Sequence, residues 1–220
     1  MASYKQGILG AFSGKLGNVI GTFWKGINVM RVVPANVTNP NTMAQQAQLA
    51  KFKLLVQFLS ANAKFFKIGF SAFSTRMTEM NSALKANFET GVSGLYPDLN
   101  IDAKNLVASK GELPSLKGFT ATSTAPNTVE IEWDDNSSAI GAAGSDKINI
   151  AAFDELTGDS VTMLRSVDRM AEGTSLALPE GWSGKTVSVY AYAVTEDSEF
   201  GIKRANQVSD QVKVNGVTIA

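Results

Sequence analysis

The 220-residue chain contains no cysteine and no histidine. That absence removes disulfides, thiolate metal sites, Cys-His and Ser-His-Asp nucleophile systems and imidazole acid–base chemistry together. No metal, no cofactor and no small-molecule substrate is expected. Acid is missing from the first third, where no Asp or Glu precedes Glu79. No apolar run reaches the roughly eighteen residues that would mark a membrane-spanning helix, and no basic-then-apolar leader ends in a small-residue cleavage site. The expectation is a soluble chain starting at Met1 without a secretion signal, cytoplasmic when made and available for incorporation into a particle.

Carboxylate-only chemistry survives these exclusions, as in a glycosidase with its two acids. Its candidates are Glu130, Glu132, Asp134 and Asp135 in "TVEIEWDDN". Glu130 and Glu132 alternate with Val129, Ile131 and Trp133, which is the pattern of a strand with one solvated face. The chain reads as non-enzymatic.

"LGAFSGKLGNVIG", Leu9 to Gly21, sets a lysine among glycines as a phosphate-binding loop does. That motif requires four residues between its first glycine and the Gly-Lys pair, then Ser or Thr for magnesium. Gly10 and Gly14 enclose three residues, and Leu16 follows Lys15. The dinucleotide fingerprint fails too, because no G-x-G precedes Gly14 and Gly17. Gly14, Gly17 and Gly21 are expected to serve backbone geometry.

At 44% hydrophobic and 18% charged residues, the composition is that of a folded protein. Its length favours two domains, expected at 1–114 and 115–220. The charge is segregated. Residues 1 to 78 carry nine basic residues and no acid, whereas the remainder has 11 Lys and Arg against 20 Asp and Glu. A basic surface of this kind meets an anion such as nucleic acid or lipid, the acidic surface of another copy, or the acidic half of the same chain, or it simply stays solvated.

"GNVIGTFW" and "INVMRVVP", joined at Lys25-Gly26, read as a β-hairpin with Phe23 and Trp24 on opposite sides. A two-stranded ribbon cannot bury both faces alone. A helix follows, with Thr42 as N-cap and Gln45 three residues on. Its apolar stripe is Phe52, Leu55, Val56, Leu59, Ala63 and Phe66. A second helix is predicted from about Phe73 to Phe88, with Phe73, Met77, Met80, Leu84 and Phe88 as its stripe and Gly69 in the break. Helical periodicity ends in the Pro-, Gly-, Ser- and Thr-rich stretch near Ser115. Short alternating runs follow: Val129, Ile131 and Trp133; Ile148 and Ile150; Val161 and Met163; Leu176 and Leu178; Val187 and Val189; Val208, Val212 and Val214. These predict an antiparallel β-sandwich.

"TVEIEWDD" with "LPEGWSGKTVSVYAYAV" resembles a fibronectin type III-like module, with Trp133 as its core tryptophan. That resemblance implies a scaffold or adhesion module and names no ligand. "GILGAFSGKLGNVIGTFWKGINVMRVVP", "NPNTMAQQAQLAKF" and "GLYPDLNIDAKNLVASKGEL" are similar to an uncharacterised family found mainly in Bacteroidetes, over about the first 115 residues; the family brings no known activity. The hairpin, its "R-x-x-P" strand end and the capped Gln-rich helix also resemble small structural proteins of phage particles.

The expected fold is therefore α+β: an N-terminal β-hairpin and helix pair, then a fibronectin type III/Ig-like sandwich. The expected function is structural, as a self-assembling subunit of a phage or phage-like particle. Interface and anion-contact candidates are Lys15, Phe23, Trp24, Lys25, Ile27, Met30, Arg31, Lys51 and Lys53. One alternative is a nucleic-acid or other anion-binding protein that presents its cations on one face. Another is a carbohydrate-binding module using Trp182, Tyr190 and Tyr192.

Overall fold

The computed structural model describes residues 2–4, 12–36, 40–73, 77–195 and 207–220. Lys5, Leu9, Gly10 and Arg76 lie outside the described residues, as does the side chain of Phe73. The chain divides into two compact units, Met1–Met43 and Ala44–Ala220.

The first unit holds four strands: β1 (Ala2–Tyr4), β2 (Gly14–Leu16), β3 (Val19–Trp24) and β4 (Ile27–Val32). They form one antiparallel sheet in the order β1-β4-β3-β2. The predicted hairpin is its centre. Lys25 and Gly26 take φ of 45° and 79°, the pair of left-handed residues that a two-residue turn needs to match the twist of its strands. Gly21 is required by close packing, since a Cβ there would stand 2.5 Å from the Phe12 carbonyl oxygen and within 2.8 Å of its ring.

The second unit opens with α1 (Met43–Ala61), α2 (Ala63–Gly69) and α3 (Glu79–Asn87). Helix α1 begins directly after Thr42, in a run of Ala, Gln, Leu and Lys that favours helix. The single stripe expected through Phe66 is interrupted at Asn62, whose side-chain amide donates back to the Phe58 carbonyl at 3.1 Å. Leu55, Phe58, Leu59, Phe65 and Phe66 are buried, while Phe52 stays 47% exposed. Helix α3 starts six residues later than predicted. Thr78 in extended conformation accepts from the Asn81 amide at 3.2 Å and caps the helix, with Glu79 beside its positive end. A hairpin that the sequence pattern did not mark follows, β5 (Val92–Leu95) and β6 (Asp98–Ile101).

Seven further strands make the sandwich: β7 (Lys117–Thr122), β8 (Thr128–Asp134), β9 (Lys147–Asp154), β10 (Ser160–Asp168), β11 (Gly173–Ala177), β12 (Thr186–Val194) and β13 (Val212–Thr218). One sheet runs β10-β9-β12-β13 and the other β11-β8-β7. All pairs are antiparallel. This four-on-three arrangement is a fibronectin type III-like sandwich, and the chain is α+β as expected.

Between the sheets lie Val129, Ile131, Trp133, Ile148, Ile150, Val187 and Val189. Trp133 is 3% exposed, and its indole N–H donates to the Arg169 carbonyl at 2.7 Å. The four-stranded sheet is covered on its other face as well. There Ala151, Phe153, Tyr190, Tyr192 and Val194 pack with Leu55, Phe58, Leu59, Phe65 and Phe66 of the helices and with Leu106. Burial of both faces explains why β9 and β12 are buried along nearly their whole length, where a sheet with one wet face would alternate.

The boundary expected near Ser115 is corrected by this packing. The composition changes there because the element type changes, yet the helices and the sandwich share the second cluster and belong to one unit. The chain divides at Met43 instead.

Candidate functional site

Strand register sorts the side chains of the N-terminal sheet onto two chemically different faces, because directly paired residues point the same way. One face carries Leu16, Val19 and Val32 in one row, Gly21 with Met30 in the next, and Phe23 with Asn28. The other carries the row Lys15–Ile20–Arg31, then Thr22 with Val29, then Trp24 with Ile27. Phe23 and Trp24 thus lie on opposite faces, as the hairpin pattern predicted. The Lys25 ammonium sits 5.8 Å from the centroid of the Trp24 ring, at the end of the second face.

The described part of this unit buries almost no side chain. Among its described residues only Gly21 is buried. Leu16 is 70% exposed, Val32 68%, Phe23 67%, Trp24 46% and Ile27 38%. Large apolar side chains at this exposure on both faces of one small sheet are a surface awaiting cover. The three-residue strands β1 and β2 form its edges.

The nine candidate residues therefore separate. Lys15, Trp24, Ile27 and Arg31 share a face, with Lys25 at its end. Phe23 and Met30 share the opposite one. Lys51 and Lys53 belong to α1 in the second unit, where the Lys51 ammonium stands 5.1 Å from the centroid of the Phe88 ring. The sequence-based list omitted Leu16 and Val32, which cross-strand pairing places beside Val19. The turn at Lys25-Gly26 would have supplied that register for β4, whereas β2 is too short for its pattern to be recognised.

The sugar-platform candidates are corrected. Tyr190 and Tyr192 are fully buried, and their hydroxyls donate to the carbonyls of Ala103 and Phe65 at 2.9 and 2.6 Å. Burial pushes both phenols far above the ordinary tyrosine pKa. Trp182 is 7% exposed and packs in the sandwich core, with the Lys185 ammonium 5.3 Å from its ring centroid. None presents an open aromatic plane.

The second unit's buried charges are paired within the fold. Arg169 and Asp146, both fully buried, approach to 3.2 Å, and the guanidinium also donates to Asn136 and to the Pro114 carbonyl. Asp154 accepts from Lys185, the Leu156 amide and Thr157. Glu130 and Glu132 are exposed on the outer side of β8, as their alternation predicted, and so is Asp134. Among the described residues no cluster of three or more Asp and Glu is placed to hold a metal ion, and no helix is long and apolar enough to cross a membrane.

No curated protein matches the chain in sequence. Among solved structures it is similar to the fn3 domain of the human collagen alpha-1(XX) chain, at 11% identity and a TM-score of 0.37, covering 51% of this chain and 90% of that one. The sandwich itself is established by its strand order. A family of unknown function (DUF6266) matches residues 11–209, from the N-terminal sheet through most of the sandwich. With nearly its whole length matched, the chain belongs to this family of unknown function.

Proposed function

We propose that the chain is a non-catalytic assembly subunit that associates with further copies of itself through Met1–Met43. The observation carrying this reading is the N-terminal sheet, which exposes Leu16 and Phe23 on one face and Trp24 and Ile27 on the other. Sheets are stable when an apolar face is buried against another layer. A neighbouring copy supplies such a layer, and burial of these side chains provides most of the affinity. The local likeness of the hairpin and the helix start to small phage structural proteins directs this reading towards a phage-like particle.

Light scattering of the full-length protein over a concentration series tests the reading. The protein should form a defined oligomer or larger assembly at low salt and loosen only partly at high salt. Deletion of residues 1–43 should abolish assembly and leave the second unit folded, because that unit contains both hydrophobic clusters. A full-length chain that remains monomeric at high concentration and low salt refutes it.

A second reading, binding of single-stranded nucleic acid, is favoured by one observation: Lys15, Arg31 and Lys25 accompany Trp24 on a single face. Cations with a stacking ring are the usual elements of such a surface. It requires affinity for an oligonucleotide that collapses steeply as salt rises, whereas assembly through apolar burial does not.

A further inference from the structure

The N-terminal unit carries four basic residues, Lys5, Lys15, Lys25 and Arg31, and no acid. Residues 44–220 hold 16 Lys and Arg against 20 Asp and Glu, so their excess of acid equals the excess of base in the first unit. The outer face of β7-β8-β11 displays part of that acid. Glu130, Glu132 and Asp134 form a ridge along β8, all exposed, with exposed Glu172 at its end. The flanking positions are small: Thr122 and Ser175 lie opposite Glu130, and Thr120 and Gly173 opposite Glu132. A shallow depression of about 630 Å³ lies between Thr120, Glu132, Asp134, Glu172 and Gly173. Lys117, paired in register with Asp134, is the basic residue of this ridge.

We infer that this β7-β8-β11 face, on a second copy of the chain, receives the Lys15–Ile20–Arg31 and Trp24–Ile27 face of the N-terminal sheet; the inference rests on the assembly reading above. The charge rows are of similar span. Glu130 to Asp134 covers four residues of strand, about 13 Å. Lys15 and Arg31 stand on either side of Ile20, two strand spacings or about 10 Å apart. Small neighbours around the ridge leave room for Trp24 and Ile27 to lie against the sheet. The contact joins a basic sheet to an acidic one, so it is heterologous. Each copy donates one surface and accepts through another, which propagates into a ring or a filament. Paired charges set the register and reject like-charged surfaces, while the apolar rows provide adhesion.

Complementary charge reversal tests the pairing in the full-length chain. One variant carries Lys15→Glu and Arg31→Glu, the other Glu130→Lys and Glu132→Lys. All four side chains are exposed, and circular dichroism melts check that both variants fold. Each alone should require at least about tenfold higher concentration to assemble, since like charges then oppose. An equimolar mixture should regain assembly, because each sheet then finds an oppositely charged face. If either variant misfolds, the Gln substitutions at the same positions replace it, with smaller losses expected. Unchanged assembly of the Glu130→Lys/Glu132→Lys variant, beside a wild type that assembles, overturns this interface and leaves the assembly reading standing. A wild type that never assembles removes both. A mixture that fails to regain assembly, with a mixed-sequence DNA oligonucleotide bound by wild type and lost in the Lys15→Glu/Arg31→Glu variant, replaces the interface with an anion site.

Discussion

Phe153 decides whether helices and sandwich are one cooperative unit. Fully buried on β9, its ring centroid lies 5.5 Å from Phe58 of α1, 6.1 and 6.4 Å from Phe65 and Phe66 of α2, and 5.7 Å from Tyr190 of β12. Phe153→Ala removes the ring at the junction of three elements. Truncation of a buried phenylalanine costs about 3–5 kcal/mol. The upper end applies here, because four aromatic neighbours lose a partner and rigid rings held by helix and sheet cannot collapse into the space. With a urea slope of about 2 kcal/mol per molar, the midpoint should fall by about 2 M. Helical circular dichroism and fluorescence of the tryptophans should move together, since Trp133 lies between the two sheets and Phe153 on the outer face of the four-stranded sheet, which joins the two clusters. A loss below about 1 kcal/mol would refute the shared cluster. So would a helical signal that melts separately while the tryptophan signal is unchanged.

Two further outcomes follow from the second unit. Trp133→Ala should cost about 3–5 kcal/mol, and Trp133→Phe about 1–2 kcal/mol, because it mainly orphans the Arg169 carbonyl beside a buried ion pair; equal urea midpoints for wild type and Trp133→Phe would exclude that role for the indole N–H. Burial alone would raise the pKa of Asp154, but hydrogen bonds from Lys185, the Leu156 amide and Thr157 outweigh it and hold the group down to about 2. A depressed folded-state pKa stabilises above the unfolded value near 4 and is lost as pH falls towards 2, a contribution of about 2 kcal/mol. Asp154→Asn should therefore flatten the stability profile between pH 4 and pH 2. A profile parallel to that of wild type across this window would show that Asp154 is not what titrates there.

Local chemistry marked several elements in the sequence. Lys25-Gly26 between two β-rich runs announced the hairpin, and Thr42 before a run of good helix formers marked the start of α1. Trp133 among alternating apolar residues placed β8 with the correct face inward. The misreadings share one physical origin, which is that periodicity reports a single buried face. In β12, Val187, Val189, Ala191 and Ala193 form the face turned to the other sheet. Tyr190 and Tyr192 between them lie under the helices, which no local pattern states. Read as exposed planes, they resembled a sugar platform. The same hidden layer made the change in composition at Ser115 look like a domain boundary. Asn62 and Thr78 show the complementary effect, where one side-chain hydrogen bond to the backbone outweighs an apolar stripe and resets a helix limit.

The candidate surface was legible in composition before it was legible in geometry. A first unit with four cations and no acid cannot neutralise itself, and its apolar residues were visible as Phe23, Trp24, Ile27 and Met30. Register added what composition lacks, a division of those residues between an apolar face and a basic-aromatic face. The two faces require different cover. The first, with Leu16, Val19, Phe23, Met30 and Val32, gains from any apolar layer and carries little specificity. The second presents Lys15 and Arg31 on either side of Ile20, and burial of those charges without partners would cost more than Trp24 and Ile27 return. An anionic partner surface removes that cost. In the proposed assembly, specificity therefore resides in the face with less apolar area, and charge reversal at Lys15 and Arg31 should alter the choice of partner more than any truncation of Phe23 or Met30.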